Sequence, residues 1–149
     1  MIEHLNGEHY DKGFLLCLSA LKKTELTKDQ FGEILRTRLT RRVDTVVVVV
    51  DDKVVATAAI QIEPKFYGNV GHIEDVATLE SYRGRGFGRM AVESCVAIAR
   101  QNQCYKVILD CADHNVDWYT KLGFFKFENQ MRKLKIKLEV AFLNYFRHN

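Results

Sequence analysis

The sequence has few of the residues that mark several special classes of protein. It contains a single proline and nine glycines in 149 residues, which excludes collagen-like and proline-rich disordered chains. Its four cysteines, Cys17, Cys95, Cys104 and Cys111, show no C-x-x-C spacing, so they predict neither a zinc site nor a disulfide scaffold. We therefore expect reduced thiols and no bound metal.

Long apolar runs and a strong net charge are also absent. No apolar run is longer than that at residues 46–50, which is far too short to cross a bilayer, and the amino terminus lacks the basic start and apolar core of a signal peptide. The formal net charge is only +3, whereas a dedicated nucleic-acid binder more often carries a concentrated basic face. These absences predict a cytoplasmic protein with no membrane or nucleic-acid partner.

The remaining composition is that of an ordinary folded domain. Hydrophobic residues make up 47% and charged residues 28% of the chain, and a domain of this length buries about 70% of the surface that its unfolded chain exposes. No repeat, linker or low-complexity segment interrupts it. We predict one domain over residues 1–149, with an apolar carboxyl-terminal extension over residues 139–149.

Hydrophobic periodicity predicts two helices at the start of the chain. Apolar residues recur at helical spacing between Tyr10 and Leu21, and Thr27-x-x-Gln30 is a capping-box signature that opens a second helix. Two β-branched runs around Asp51-Asp52 then predict a hairpin of largely buried strands, followed by a loop containing Pro64.

The second half of the chain alternates between predicted strands and helices. We expect strands at residues 71–78, 104–111 and 131–138, and helices at residues 90–100 and within "DHNVDWYTKLG", where Gly123 ends the helix. The element order αα-ββ-β-α-β-α-ββ predicts an α/β or α+β fold, with a mixed central sheet flanked by helices on both faces.

The segment "YRGRGFGR" at residues 82–89 combines three glycines with three arginines before a predicted helix. Glycine allows close approach of the backbone to a ligand, and the first amides of a helix are unpaired donors beside a positive dipole end. The pattern therefore indicates a phosphate-bearing ligand, although an ordinary strand-to-helix turn would use similar residues.

This strand, glycine loop and helix resemble the site with which the GNAT acetyltransferase superfamily holds the pyrophosphate of acetyl-CoA. More narrowly, "IEPKF", "GHIEDV", "RGRGFG", "CYKVILDC" and "NVDWYTKLGF" resemble the glucosamine 6-phosphate N-acetyltransferase family in order and spacing, from about Tyr10 to Lys133. The resemblance implies a GNAT-like fold, acetyl-CoA as the acetyl donor and a direct transfer within a ternary complex. It also implies a step of UDP-N-acetylglucosamine biosynthesis.

By resemblance, one group of residues binds acetyl-CoA. The amides of residues 85–89 and the nearby arginines would take the pyrophosphate, and the backbone N–H near Val76 would polarise the thioester carbonyl. The implied cofactor-binding residues are Val76, Arg83, Arg85, Gly86, Phe87, Gly88, Arg89, Asn115 and Tyr119.

The resemblance also assigns the reaction chemistry to three side chains. Tyr119 would protonate the departing thiolate, and Glu74 and Asp110 are the candidate proton acceptors. Glu74 and Asp75 would point to opposite faces of a regular strand, so both reach one site only if the strand is bulged. A structural cap for the following helix is the competing interpretation of Asp110.

A last group implied by the resemblance binds the amino sugar. It comprises Lys65, Glu74, Asp75, Tyr105, Lys106, Asp110 and Arg132. In the family, an arginine on the final strand reaches the sugar phosphate in the neighbouring subunit of an intertwined homodimer. The corresponding position in this sequence is Leu134, which cannot bind a phosphate. We therefore assign the phosphate contact to Arg132, which would lie two residues earlier on the same face of the predicted strand.

Two alternatives stay open at this point. The chain could be a GNAT enzyme acting on another amine, such as a polyamine, an antibiotic or a protein amino terminus. It could also be a non-catalytic module that binds CoA or RNA. A panel of amines separates these hypotheses, because only an enzyme built for a sugar phosphate discriminates strongly against glucosamine without the phosphate.

Overall fold

The computed structural model describes residues 1–134, which form a five-stranded sheet with its strands in chain order. Neighbouring strands are antiparallel from the first to the fourth, and the fourth and fifth are parallel. The strands are β1 (Ile2–His4), β2 (Val43–Val50), β3 (Lys53–Lys65), β4 (Gly68–Thr78) and β5 (Cys104–Leu109).

Four α-helices lie in the described part of the chain and pack around the sheet. They are α1 (Phe14–Leu18), α2 (Lys28–Thr40), α3 (Phe87–Gln101) and α4 (Val116–Lys121). Because parallel strands need a crossover connection, the chain passes through α3 between β4 and β5. This arrangement confirms the predicted mixed sheet and fold class.

Strand alternation divides the core between the two faces of the sheet. Val46 and Val48 point to one face, in a cluster with the buried side of α3, whereas Val47 points to the other, in a cluster with Phe14 of α1 and Phe31 of α2. Successive side chains of a strand point to opposite faces. A strand that is apolar at every position, as in residues 46–50, therefore has to be covered on both sides.

Local signals fix several boundaries where they were predicted. Thr27 and Gln30 form a reciprocal capping box at the start of α2. Asp51 and Asp52 both have positive φ, 48° and 61°, as expected for a two-residue hairpin turn between β2 and β3. Gly123 follows α4 with φ of +93°, the conformation that favours glycine after a helix.

Three sequence predictions were wrong or incomplete. The short strand β1 was missed, since three residues give no periodic signal and only pairing with β2 defines them. Pro64 lies inside β3 rather than in a loop, and it is tolerated because β2 pairs with β3 only as far as Gln61 and leaves Pro64 one neighbouring strand. Residues 131–134 form no strand. The remainder of that predicted strand and the extension at residues 139–149 lie outside the described residues.

Candidate active site

A cleft opens where β4 and β5 stop pairing. The two strands pair from Asn69 and Cys104 to Ile73 and Leu109, after which β4 continues to Thr78 and β5 ends. The cleft has a volume of about 1030 Å³ and is lined by the carboxyl half of β4, the start of α3, the segment after β5 and α4. Parallel strands that diverge in this way leave a crevice at their carboxyl ends, where ligands of α/β proteins commonly bind.

A β-bulge in β4 shapes the centre of the cleft. Glu74 pairs with Ala59 and Ala77 with Thr57, so β4 has one residue more than β3 across this interval. Asp75 has φ of 54°, a left-handed conformation that is uncommon outside glycine. As a result, the adjacent Glu74 and Asp75 both line the cleft, the arrangement for which the sequence requires a bulge.

One wall of the cleft, the glycine-loop wall, is formed by residues 83–89, all of which line the cleft except Arg85. Gly84 and Gly86 have φ of +75° and +84°, and no side chain caps the amino end of α3. A Cβ on Gly88 would come within 2.9 Å of the Thr78 hydroxyl, so a larger residue there would force the Thr78 side chain or α3 to shift. The free amides at the start of α3 can therefore donate hydrogen bonds to an anionic ligand.

The three arginines of this wall are exposed and already have local contacts. The guanidinium of Arg85 lies 5.2 Å from the ring centroid of Tyr82, and Arg89 donates to Glu93 at 2.7 Å. Arg83 and Arg89 line the cleft, and Arg85 does not. Their charges add a positive field around the amides.

Tyr119 occupies the α4 side of the cleft. Its ring is buried, 9% exposed, in edge-to-face contact with Trp118 and Phe124. Burial, reinforced by the nearby Cys111, raises the pKa of Tyr119 to about 12, so its phenol stays protonated at neutral pH. Asn115, four residues earlier, also lines the cleft. The Tyr119 hydroxyl is therefore protonated, and its ring is held in a fixed orientation.

The opposite wall, the acidic wall, consists of His72, Glu74, Asp110 and Gln130. Nδ1 of His72 lies 3.6 Å from a carboxylate oxygen of Glu74, and Nε2 lies 3.7 Å from one of Asp110. The Gln130 amide donates to the same oxygen of Asp110 at 3.2 Å. No side chain caps the 3-10 turn or the helix that follow Asp110, so its contacts do not support the helix-cap interpretation.

Four predicted sugar-site residues lie away from the cleft. Lys65 pairs with Glu63 at 3.1 Å, and this hydrogen bond raises the pKa of Lys65. Tyr105 and Lys106 are exposed on β5, where the Lys106 ammonium is 5.5 Å from the Tyr105 ring centroid. Arg132 is exposed beyond the last helix, in a segment that forms no strand, so the strand alternation by which it was chosen does not apply there. None of the four lines the cleft.

Sequence reasoning missed three residues that contact the predicted ones. His72 and Gln130 contact Asp110, and Arg38 of α2 lies 3.9 Å from Asp75. Only the position of His72 within the quoted segment "GHIEDV" could have indicated a role. Gln130 and Arg38 are distant from the site in sequence, and only the fold brings them to it.

Residues 1–134 contain neither a cluster of metal-binding side chains nor a helix that could span a membrane. No group of three or more His, Cys, Asp or Glu side chains there is arranged to hold a metal ion. In the same part of the chain, no helix has the length and apolar character needed to span a bilayer.

Comparison with known proteins defines the class. Residues 12–124 match the acetyltransferase (GNAT) family. The chain belongs to the GNAT acetyltransferase family.

Its relatives narrow the class further. Glucosamine 6-phosphate N-acetyltransferase 1 of Dictyostelium discoideum is 37% identical, with 80% of this chain and 81% of the relative covered. The Arabidopsis thaliana glucosamine 6-phosphate N-acetyltransferase is 35% identical, with 82% of this chain and 87% of the relative covered. A crystal structure of the Arabidopsis enzyme has a TM-score of 0.86 at 32% identity and covers 89% of this chain and 96% of that one. These relatives confirm the resemblance to the glucosamine 6-phosphate N-acetyltransferase family that the sequence motifs indicated.

Proposed function

We propose that this protein transfers the acetyl group of acetyl-CoA to the amine of glucosamine 6-phosphate, giving N-acetylglucosamine 6-phosphate and CoA. One observation carries the proposal: the free amides at the start of α3 and an acidic wall face the same cleft, beside a buried tyrosine. The names of the relatives supply the particular acceptor.

The donor fits the glycine-loop wall. GNAT acetyltransferases use acetyl-CoA, and the amides at the start of α3 with Arg83, Arg85 and Arg89 would hold its pyrophosphate, each good contact contributing about 1.5 to 3 kcal/mol before solvent screening. Gly86, Phe87 and Gly88 provide the close backbone approach, and Asn115 extends the site along α4. The Val76 N–H, next to the bulge, would polarise the thioester carbonyl.

The acidic wall receives the amine. A primary amine attacks only when neutral, so a carboxylate, either Glu74 or Asp110, would take its proton directly or through water. Asp75 would help to orient the sugar from the bulge. Tyr119 would give its proton to the departing CoA thiolate. We infer direct transfer in a ternary complex, in which the shared cleft would hold donor and acceptor side by side.

The sugar phosphate needs cations, and no described lysine or arginine lines the acidic wall. We assign the cationic role to Lys65, Lys106 and Arg132, with the Tyr105 hydroxyl as a hydrogen-bond donor. Some of these residues would come from a second copy in an intertwined homodimer. Two observations support this: within residues 1–134, β5 pairs only with β4, and Tyr105 and Lys106 are exposed on it. We further place the reaction in cytoplasmic UDP-N-acetylglucosamine biosynthesis.

The test is a panel of amines supplied with acetyl-CoA and no added metal. Product should be measured by mass spectrometry, because the exposed Cys111 would add a background to thiol reagents. We expect acetylation of glucosamine 6-phosphate with a kcat/KM at least about a hundredfold above that of glucosamine. Turnover of spermidine or a peptide amine without turnover of the sugar phosphate would contradict the proposal.

A further inference from the structure

Asp75 occupies an unusual position at the bulge of β4. Its backbone has φ of 54°, and a residue in such a sparsely populated conformation persists where its surroundings hold it there. Asp75 is also the only residue shared by the linings of the cleft and of a second cavity, of about 90 Å³, between the sheet and helices α1 and α2. The contacts that hold its side chain can therefore come from either cavity.

The second cavity brings an arginine to Asp75. Most of its lining is apolar, and Arg38 of α2 is its one cationic side chain. Nη2 of Arg38 donates to the Thr45 hydroxyl at 3.1 Å and lies 3.9 Å from Oδ2 of Asp75. Thr45 is only 7% exposed and belongs to β2. Its hydroxyl therefore ties the guanidinium to the sheet beside Asp75.

The separation shows what kind of interaction joins Arg38 and Asp75. It exceeds the range of a direct hydrogen bond, so the attraction acts between charges across a partly exposed space, with side chains 31% and 43% exposed. Arginine stays charged in proteins at every pH of an ordinary assay. Among residues 1–134, Arg38 is the only cationic side chain paired with Asp75. Its charge disfavours rotation of the carboxylate away from the second cavity.

A restrained carboxylate suits the role proposed for Asp75. A carboxylate has several acceptor positions, so it can stay beside Arg38 and still accept a hydrogen bond from a sugar hydroxyl or ammonium group. A group that orients a substrate is effective when neighbouring residues restrict its own rotamer.

We propose that Arg38 is a positioning residue, which restrains the Asp75 carboxylate from the second cavity so that it orients the acceptor in the cleft. The inference rests on the proposed function in taking Asp75 as a contact of the acceptor. Arg38 does not line the cleft, so it acts only through Asp75.

The test is a double-mutant cycle of Arg38→Met and Asp75→Asn, read from the KM for the amine at saturating acetyl-CoA. Methionine keeps a flexible apolar chain in the cavity and removes the charge. We expect Arg38→Met to raise this KM about fivefold in wild type, and less than about 1.5-fold in the Asp75→Asn background. The KM for acetyl-CoA should stay within about twofold in every variant.

Three single variants sharpen the result. Arg38→Lys keeps a cation, so it should raise the KM for the amine less than Arg38→Met does, and it allows the same cycle if Arg38→Met fails to fold. Thr45→Val removes the hydroxyl that holds the guanidinium and should raise this KM about twofold. Arg36→Met is the matched control, since Arg36 is exposed on the same helix and lines neither cavity.

The outcomes separate a positioning role from a structural one. An equal effect of Arg38→Met in both backgrounds would indicate a structural role and overturn the proposal. A wild-type KM for the amine in Asp75→Asn would also overturn it, as would a KM for acetyl-CoA that rises as much as that for the amine. If wild type acetylates another amine instead of the sugar phosphate, the proposed substrate fails separately, while the same cycle measured with that amine tests Arg38.

Discussion

The two walls of the cleft are built in different ways. The glycine-loop wall comes from one continuous stretch, residues 83–89, and offers mainly backbone amides. The acidic wall consists of side chains from β4, the end of β5 and the coil after α4, with another acid of β3 behind it. Backbone groups are present whatever the side chain is, whereas a side-chain cluster loses its chemistry with a single substitution. We therefore expect substitutions at the acidic wall and Tyr119 to affect turnover, and changes at the glycine loop to affect binding.

The largest effect is expected for Tyr119→Phe. It should lower kcat about ten- to a thousandfold with little change in the Kd for acetyl-CoA, because the ring keeps its packing on Trp118 and Phe124 but loses its proton. Single-turnover kinetics measure the chemical step directly. Tyr82→Phe is the control, a tyrosine lining the same cleft, and should have little effect. An unchanged single-turnover rate in Tyr119→Phe would remove the leaving-group role.

Asp110→Asn should lower kcat about ten- to a hundredfold. The melting temperature should change by only a few degrees, since the side chain is 47% exposed and caps no helix. Glu74→Gln is the matched comparison on the same wall. A larger loss of kcat in Glu74→Gln would identify Glu74 as the proton acceptor, and a large loss of thermal stability in Asp110→Asn with activity retained would make its role structural.

Arg132→Ala tests the proposed phosphate assignment, which would extend the acidic wall beyond one chain. It should raise the KM for glucosamine 6-phosphate about tenfold and leave that for acetyl-CoA unchanged, because a guanidinium binds phosphate through two hydrogen bonds. Lys133→Ala is the neighbouring control and should change either KM less than about twofold. The dimer is tested separately by sedimentation of the wild type and of a chain that ends at Leu138. A wild-type protein that sediments as a monomer and is fully active would contradict the dimer.

The smallest effect is expected from Gly88→Ala at the glycine-loop wall. The added Cβ would meet the Thr78 hydroxyl at 2.9 Å and Trp118 at 3.5 Å, so either the Thr78 side chain or the start of α3 has to shift. We expect the KM for acetyl-CoA to rise about fivefold with kcat nearly unchanged. Gly32→Ala, in α2, should leave both constants as they are. A fall in kcat without a change in KM would show that this wall acts in the chemical step.

The same difference explains how much could be predicted from the sequence. The glycine loop, the α3 start, the capping box at Thr27 and the turn at Asp51-Asp52 depend on neighbouring residues, so local patterns were sufficient. The pairing of His72 with Asp110 depends on the register of two strands that α3 separates in the chain. Glu74 and Asp75 share the cleft only because β4 has one extra residue at its bulge. From the sequence we could say that a bulge was needed, but not that one was present. Arg38 and Gln130 gave no signal at all.

The parallel pairing of β4 with β5 also has a consequence for the order of folding. Strands β2, β3 and β4 are joined by two-residue turns, so they can form early through contacts close in sequence. We expect the pairing of β5 to form later, because α3 separates β4 from β5 in the chain and their contacts are more distant in sequence. The cleft would form at this later step, since β5 leads into one of its walls. We expect pulsed hydrogen exchange during refolding to protect the amides of β2 and β3 before those of β5, and catalytic activity to return with β5. Simultaneous protection of all five strands would contradict this order.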